Sequence, residues 1–241
     1  MTKLSVNLNK VALLRNTRDI NLPSVVDAAK TCIAAGANGI TVHPRPDQRH
    51  IRTHDVYDLL EVVSDVVEYN IEGNPFFPEF MQLVKDVVPT QCTLVPDTEG
   101  QRTSDHGWDL NSDTERLSPI IDELKSLGIR VALFMDETIM DFEPAAKIGA
   151  DRVELYTERY ATAYEKGDWQ DTFDRYADAA KRAQKVGLGV NAGHDLNLDN
   201  IAQFCTIPNI LECSIGHALT AEALYIGLEK TVQEYLKRMQ G

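Results

Sequence analysis

The sequence predicts a parallel eight-stranded (β/α)8 barrel of the TIM type, and three observations lead there. First, a helical stretch that ends at a glycine and runs into a β-rich segment recurs along the chain. It is seen as CIAAG before ANGITVH, LKSLG before IRVALF, AAKIG before ADRVELY, and AQKVG before LGVNAGH. Second, four more β-rich runs (LSVNL, VVEYNIE, QCTLVP and NILECSIG) bring the strands to eight, alternating with helices as a βα-barrel requires. Third, no Pro/Gly/Ser-rich linker or composition shift divides the 241 residues, so the expected organisation is one barrel domain over residues 1–241.

Each element has its own local reason. LSVNL opens the series, followed by the amphipathic PSVVDAAKTCIAA, whose apolar positions recur at three and four. Gly36, Gly128, Gly149 and Gly187 each fall just past a helix, where left-handed backbone is least costly for glycine. The strands that follow are rich in Val, Ile and Leu, as in sheets buried on both faces. His54 falls in the loop or first turn before VYDLLEVVSDVV. After QCTLVP comes a long polar segment, Asp97–Asp113, with few apolar anchors, which reads as a mobile lid. SPIIDELKSL and TFDRYADAAKRAQKV carry the helix period. Asp136, Glu137 and Asp141 read as a solvated acidic loop, and Arg159 and Tyr160 follow the sixth strand toward the mouth of the barrel. Gly216-His217 leads into one last helix, ALTAEALYIGLEKTVQEYLKRM. A doubly wound open sheet is the competing architecture, but no G-x-G-x-x-G follows the first strand.

Charge narrows the function. Lys+Arg number 24 against 37 Asp+Glu, a formal net charge of −13, which disfavours nucleic acid and anionic membrane surfaces. Small anionic substrates remain compatible, since a few Arg and backbone N–H groups suffice to bind a phosphate. No apolar run approaches the roughly 20 residues of a membrane helix, and MTKLSVNLNK lacks the apolar stretch of a signal peptide. Cys32, Cys92, Cys205 and Cys213 are widely spaced without a C-x-x-C pair, as expected of reduced thiols in a cytoplasmic protein.

The carboxyl ends of barrel strands build the active site, and here they are polar. The first strand ends at Asn7 and Asn9, with Lys10 beyond; the second at His43 and Arg45, with Arg49 and His50 following. The third delivers Glu72, the seventh Asn191 to His194, and the eighth Gly216-His217. One such residue is unremarkable, but this many polar side chains at converging strand ends point to a reactive pocket, because buried polar groups without partners are costly. A glycine at the turn into the last helix lets N–H groups approach an anion, although a tight turn alone also accounts for it. Of the six His only His50 and His54 stand at H-x-x-x-H spacing, and no Cys are paired, so no metal site is expected.

The segments VNLNKVALLRNTR, GITVHPRPDQRHI, NIEG, TLVPD, NAGHDLN and IGHAL closely resemble the pyridoxine 5′-phosphate synthase family, in order and through essentially the whole chain. The resemblance implies a (β/α)8 barrel with extra helices, in cytoplasmic homo-octamers built from dimers. It further implies condensation of 1-deoxy-D-xylulose 5-phosphate with 3-amino-2-oxopropyl phosphate to pyridoxine 5′-phosphate, phosphate and water, without metal or organic cofactor. By position it implies His43 and Glu72 as general bases and His194 as proton donor. Asn7, Arg18, Asp195, Gly216 and His217 would hold the aminoketone phosphate. Asn9, Lys10, Arg45, His50 and Thr103 would hold the deoxyxylulose phosphate. The chain departs from the better-known motif in having Asn9-Lys10 for Asp-His, and Asp195 for Gly.

Such a reaction moves protons at every stage, so it needs several acid–base groups around one pocket. Two other readings of the residues stand beside it. A Schiff-base aldolase on the same barrel would rest on Lys10, and a non-catalytic barrel would not need His43, Glu72 and His194 together.

Overall fold

Residues alternate along most strands between apolar and polar, and this alternation sets the two faces of the sheet. The structure, a computed structural model, describes residues 1–98 and 100–240. Eight parallel strands close into a barrel in chain order, with the last paired to the first. They are β1 (Lys3–Asn7), β2 (Gly39–Val42), β3 (Glu68–Gly73), β4 (Gln91–Leu94), β5 (Arg130–Met135), β6 (Arg152–Tyr156), β7 (Gly189–Gly193) and β8 (Ile210–Ile215).

Leu4, Val6, Ile40, Val42, Ile71, Leu133, Val153 and Leu155 join the helices in the main apolar core, outside the barrel wall. The intervening residues point inward and are polar on most strands, although β5 places Ala132 and Phe134 there. Ser5 bonds Thr41 at 2.7 Å, Thr93 bonds Asn70 at 3.0 Å, and Asn191 reaches Gln91 at 3.4 Å, from β7 across to β4. Bonds between non-adjacent strands can only pass through the interior. The strands are therefore apolar on one face, not on both as their Val/Ile/Leu content suggests. A polar lining is tolerated because its members satisfy one another.

Helices outnumber strands. α1 (Asn9–Arg15) and α2 (Val25–Ala34) follow β1, α3 (Thr53–Val63) follows β2, and α4 (Pro78–Val87) follows β3. α5 (Thr114–Ser126), α6 (Glu143–Lys147), α7 (Glu158–Glu165) and α8 (Gln170–Lys185) come next, then α9 (Ile201–Phe204), α10 (His217–Ile226) and α11 (Leu228–Met239). Gly36, Gly128, Gly149 and Gly187 all take positive φ at the helix ends read from the sequence. The last helix is not continuous: Gly227, at φ 86°, separates α10 from α11. Glycine is the weakest helix former after proline, and α11 uses the break to turn and pack on α2 and α9. No helix among the described residues is long and apolar enough to cross a membrane.

Candidate active site

The strand ends converge on one cavity of about 560 Å3, within the range of small-molecule sites. Every residue to which the family resemblance assigned a role lines it except Arg18: Asn7, Asn9, Lys10, His43, Arg45, His50, Glu72, Thr103, His194, Asp195, Gly216 and His217. The framework is built from short polar contacts. The Asn7 side chain accepts the Asn9 N–H at 3.0 Å, opening α1, and its amide donates to Glu72 at 3.4 Å. Asn9 in turn accepts the His43 N–H at 2.9 Å, fixing the end of β2. A Cβ at Gly216 would fall 3.1 Å from the Asn7 side chain, so the turn into α10 needs glycine for close approach. Gly216, His217 and Ala218, at the start of α10, line the cavity, and the first N–H groups of a helix lack intrahelical partners.

His43 stands between two carboxylates. Its Nδ1 lies 3.8 Å from Glu72 Oε2, and its Nε2 lies 3.5 Å from Asp97 Oδ2. Burial lowers its pKa well below the ordinary histidine value, helped by Arg45, His50 and His194, so the ring is neutral at pH 7. Glu72 moves the other way: burial and then the nearby Glu154 carboxylate raise it well above the usual range. Glu154, inward on β6, is likewise pushed up to about 8 by burial and Glu212. Burial and the neighbouring carboxylates thus favour the protonated form of both groups.

His194 has φ 79° and Asp195 φ 60°, two successive side-chain-bearing residues in the left-handed region. Such backbone costs about 1–3 kcal/mol per residue and is held by its surroundings. Thr157 Oγ1 bonds the His194 carbonyl at 2.5 Å, and the ring packs against Phe134 and Tyr156. Burial, then Arg45 and Lys10, bring His194 down to about 4. Lys10 is itself lowered, by burial and then Arg102 and Arg45. Lys10, Arg45 and Arg102 thus crowd one another, with Asp97 on Arg45 and Asp195 near Lys10 offsetting part of the charge. His50 accepts the Ile51 N–H on Nδ1 at 2.9 Å, which places its proton on Nε2.

The segment after β4 closes the rim. Arg45 and Arg49 both donate to the Gln101 carbonyl, at 3.2 and 3.0 Å, and Ser104 Oγ bonds Asp97 at 2.9 Å. Thr103 is exposed at the cavity edge. Farther on, Trp108 is buried with its indole N–H on the Leu94 carbonyl at 2.8 Å, so the segment has a firmer apolar anchor than its composition suggests. Of the span Asp97–Asp113 read as a lid, Glu99 lies outside the described residues.

Comparison with known proteins fits this geometry. The family described as "Pyridoxal phosphate biosynthesis protein PdxJ" matches residues 4–241. The chain belongs to this family. The pyridoxine 5′-phosphate synthase of Xanthomonas campestris pv. campestris (strain B100) is 54% identical over 248 residues, covering 100% of this chain and 97% of that protein. The enzyme of the same name from Albidiferax ferrireducens is 53% identical over 244 residues, covering 98% and 96%. Outside the PdxJ family, the barrel resembles 3-keto-L-gulonate-6-phosphate decarboxylase from Vibrio cholerae, with TM-score 0.68 at 12% identity over 99% of this chain and 97% of that one. It also resembles phosphoribosyl anthranilate isomerase from Thermotoga maritima, with TM-score 0.62 at 13% identity over 100% of both chains. At these identities the likeness is one of fold.

Within this PdxJ-family chain several positions differ from their reading in the sequence. Arg18 is exposed in the segment after α1 and lines no part of the cavity. Glu137 is buried rather than solvated: Arg159 pairs with it at 3.1 Å, and Arg182 donates to its carbonyl at 3.1 Å. Asp136 accepts the Gly107 N–H at 3.0 Å, and only Asp141 of the three is exposed. Tyr160 does not face the pocket; it is buried among Tyr164, Phe173, Tyr176 and Phe204, its hydroxyl on the Asn200 carbonyl at 2.9 Å. The residues not anticipated are Glu154 and Asp97. Their signals were a lone carboxylate inside the apolar run VELY and one closing the strand TLVPD.

Proposed function

We propose that this chain acts as a pyridoxine 5′-phosphate synthase, condensing 1-deoxy-D-xylulose 5-phosphate with 3-amino-2-oxopropyl phosphate by acid–base steps. Membership of the PdxJ family and the full-length likeness to enzymes of that name support the reaction. The observation that carries the assignment of roles is the convergence of His43, Glu72 and His194 with Arg45 and Lys10 in one cavity.

Neutral His43 is competent as a base, and Glu72, its pKa raised, takes and returns protons without being a permanent anion. His194 donates. Burial and then Arg45 and Lys10 depress its proton affinity, and a phosphate dianion bound to those cations offsets the part due to their charge, which moves the ring toward a donor. The N–H groups at the start of α10, with Asn7 and His217, suit one phosphate; Arg45, His50, Lys10 and Thr103 suit the other. The segment after β4 would keep water from imine and enol intermediates. No organic cofactor or metal is needed for these steps.

Assembly belongs to the same proposal. α1 and α10 lie side by side, and Leu13, Leu14, Ile20, Leu22, Leu224 and Tyr225 are exposed in these helices or just after α1. An apolar surface of this kind suits a subunit interface in a cytoplasmic homo-octamer of dimers, in which Arg18 would face a neighbouring copy.

The test is to mix purified protein with both substrates under chelation and follow pyridoxine 5′-phosphate by absorbance and mass, alongside released phosphate. Glu72→Gln should bind substrates and lose at least about 100-fold in kcat. No product from folded wild-type protein would redirect the assignment to another phosphorylated ketone, and near-normal turnover by Glu72→Gln would remove Glu72 from the mechanism.

A further inference from the structure

Asp97 lies just beyond β4, buried to 3% exposure, and no role has been given to it so far. One of its oxygens, Oδ2, is faced by three groups at once: Arg45 Nη2 at 2.5 Å, Ser104 Oγ at 2.9 Å and His43 Nε2 at 3.5 Å. The first two are within hydrogen-bond length and the third is just outside it. Neither Asp97 nor His43 is free to drift. Asn74 donates to the Asp97 carbonyl at 2.7 Å, and Asn9 holds the His43 N–H at 2.9 Å. The opposite ring nitrogen, Nδ1, is the one turned toward Glu72 and the cavity.

Resting on the reaction proposed above, we propose that Asp97 is a positioning residue that links phosphate binding to the readiness of His43. A substrate phosphate competes with Asp97 for Arg45, because both are anions and the guanidinium prefers a bidentate partner. Once Arg45 turns to the phosphate, Oδ2 is left to the Nε2–H of His43. That contact keeps the proton on Nε2 and presents the Nδ1 lone pair to the substrate, as the buried carboxylate does in other carboxylate–histidine pairs. Ser104, from the segment that closes the rim, holds the same oxygen, so rim closure and base orientation share one atom. The charged and titratable groups facing His43 are Arg45, Arg49 and His50 from the segment after β2, Glu72 from β3, His194 after β7 and Asp97 itself. Among these the Arg45–Asp97 pair is the one a phosphate rearranges.

The experiment compares steady-state kinetics of wild type, Asp97→Asn and Asp97→Glu, with inorganic phosphate binding measured by calorimetry. Asp97→Asn should lower kcat on the order of 100-fold while KM for the deoxyxylulose phosphate stays level or falls. It should bind inorganic phosphate a few-fold more tightly, since Arg45 is released, and Asp97→Glu should recover part of kcat. Unchanged kcat in Asp97→Asn, or a raised KM with kcat retained, would overturn the proposal. A second measurement needs no variant. In wild-type protein labelled with 15N-histidine, inorganic phosphate should convert His43 to a hydrogen-bonded Nε2–H tautomer, and a His43 signal indifferent to phosphate counts against it. Wild type that makes no product refutes the assigned reaction. Wild type that turns over beside a fully active Asp97→Asn refutes only the role of Asp97.

Discussion

Replacing Arg15 by Met is expected to cost about 3 kcal/mol, although Arg15 does not line the cavity. Arg15 and Asp55 are 5% and 4% exposed, and the guanidinium engages both carboxylate oxygens, the second at 2.9 Å. It also donates to the His50 carbonyl at 3.2 Å and to Asn16 Oδ1 at 3.0 Å. Breaking a buried pair from one side costs roughly 3–5 kcal/mol, because the remaining charge stays out of water. The lower end applies here. Asp55 keeps the Arg52 N–H at 2.7 Å, and the His50 carbonyl keeps the Asn16 amide at 2.8 Å. An exposed pair would be worth only about 0.2–1 kcal/mol. For a chain of this length, about 3 kcal/mol lowers Tm by roughly 6–12 °C. The assay is urea unfolding with a thermal scan on wild type, Arg15→Met, Asp55→Leu and the double variant. The double variant should be more stable than Arg15→Met, since no buried charge is orphaned. A loss under about 1 kcal/mol, or a double variant as unstable as the two single losses added, would refute the reasoning. KM for the deoxyxylulose phosphate should rise with the stability loss, because this pair holds the backbone of His50.

Three further outcomes follow from Glu154 and its neighbours. Glu154 titrates at about 8 in the fold against an ordinary 4.5, so between these values the folded chain binds more protons than the unfolded one. Stability should therefore fall as pH rises from about 4.5 through 8, and Glu154→Gln should flatten that fall in unfolding experiments across the window. The same variant removes a like charge from Glu72 and should move the acid limb of the kcat–pH profile to lower pH; an unmoved limb would separate the two groups. Gly193→Ala places a Cβ 2.4 Å from Glu154 Oε1 and 3.3 Å from the Ser214 carbonyl. Forcing that buried carboxylate aside should cost about 1–3 kcal/mol and reduce kcat with it, measured by melting and turnover. Wild-type kcat in Gly193→Ala would show that the position of Glu154 is not critical.

Local chemistry made much of this protein legible. The helix–Gly–strand unit marked the barrel because glycine alone takes positive φ at low cost where each helix turns into a strand, and Gly36, Gly128, Gly149 and Gly187 do so. Polar residues at strand ends marked the site, since side chains there project into the mouth whatever the loops do; His43, Glu72, His194 and their neighbours meet as expected. What the sequence could not decide was which polar groups find one another across the barrel. Glu154 reads as one acid in an apolar strand until closure sets it beside Glu72, and Asp97 as a loop acid until Arg45, Ser104 and His43 surround it. Glu137 reads as solvated until Arg159 covers it, and the long C-terminal helix reads as continuous until Gly227 breaks it for packing on α2 and α9. The physical reason is common to all four. Periodicity and backbone preference are properties of neighbours in the chain, whereas burial, proton sharing and ion pairing depend on partners tens of residues away that only the closed barrel brings within reach.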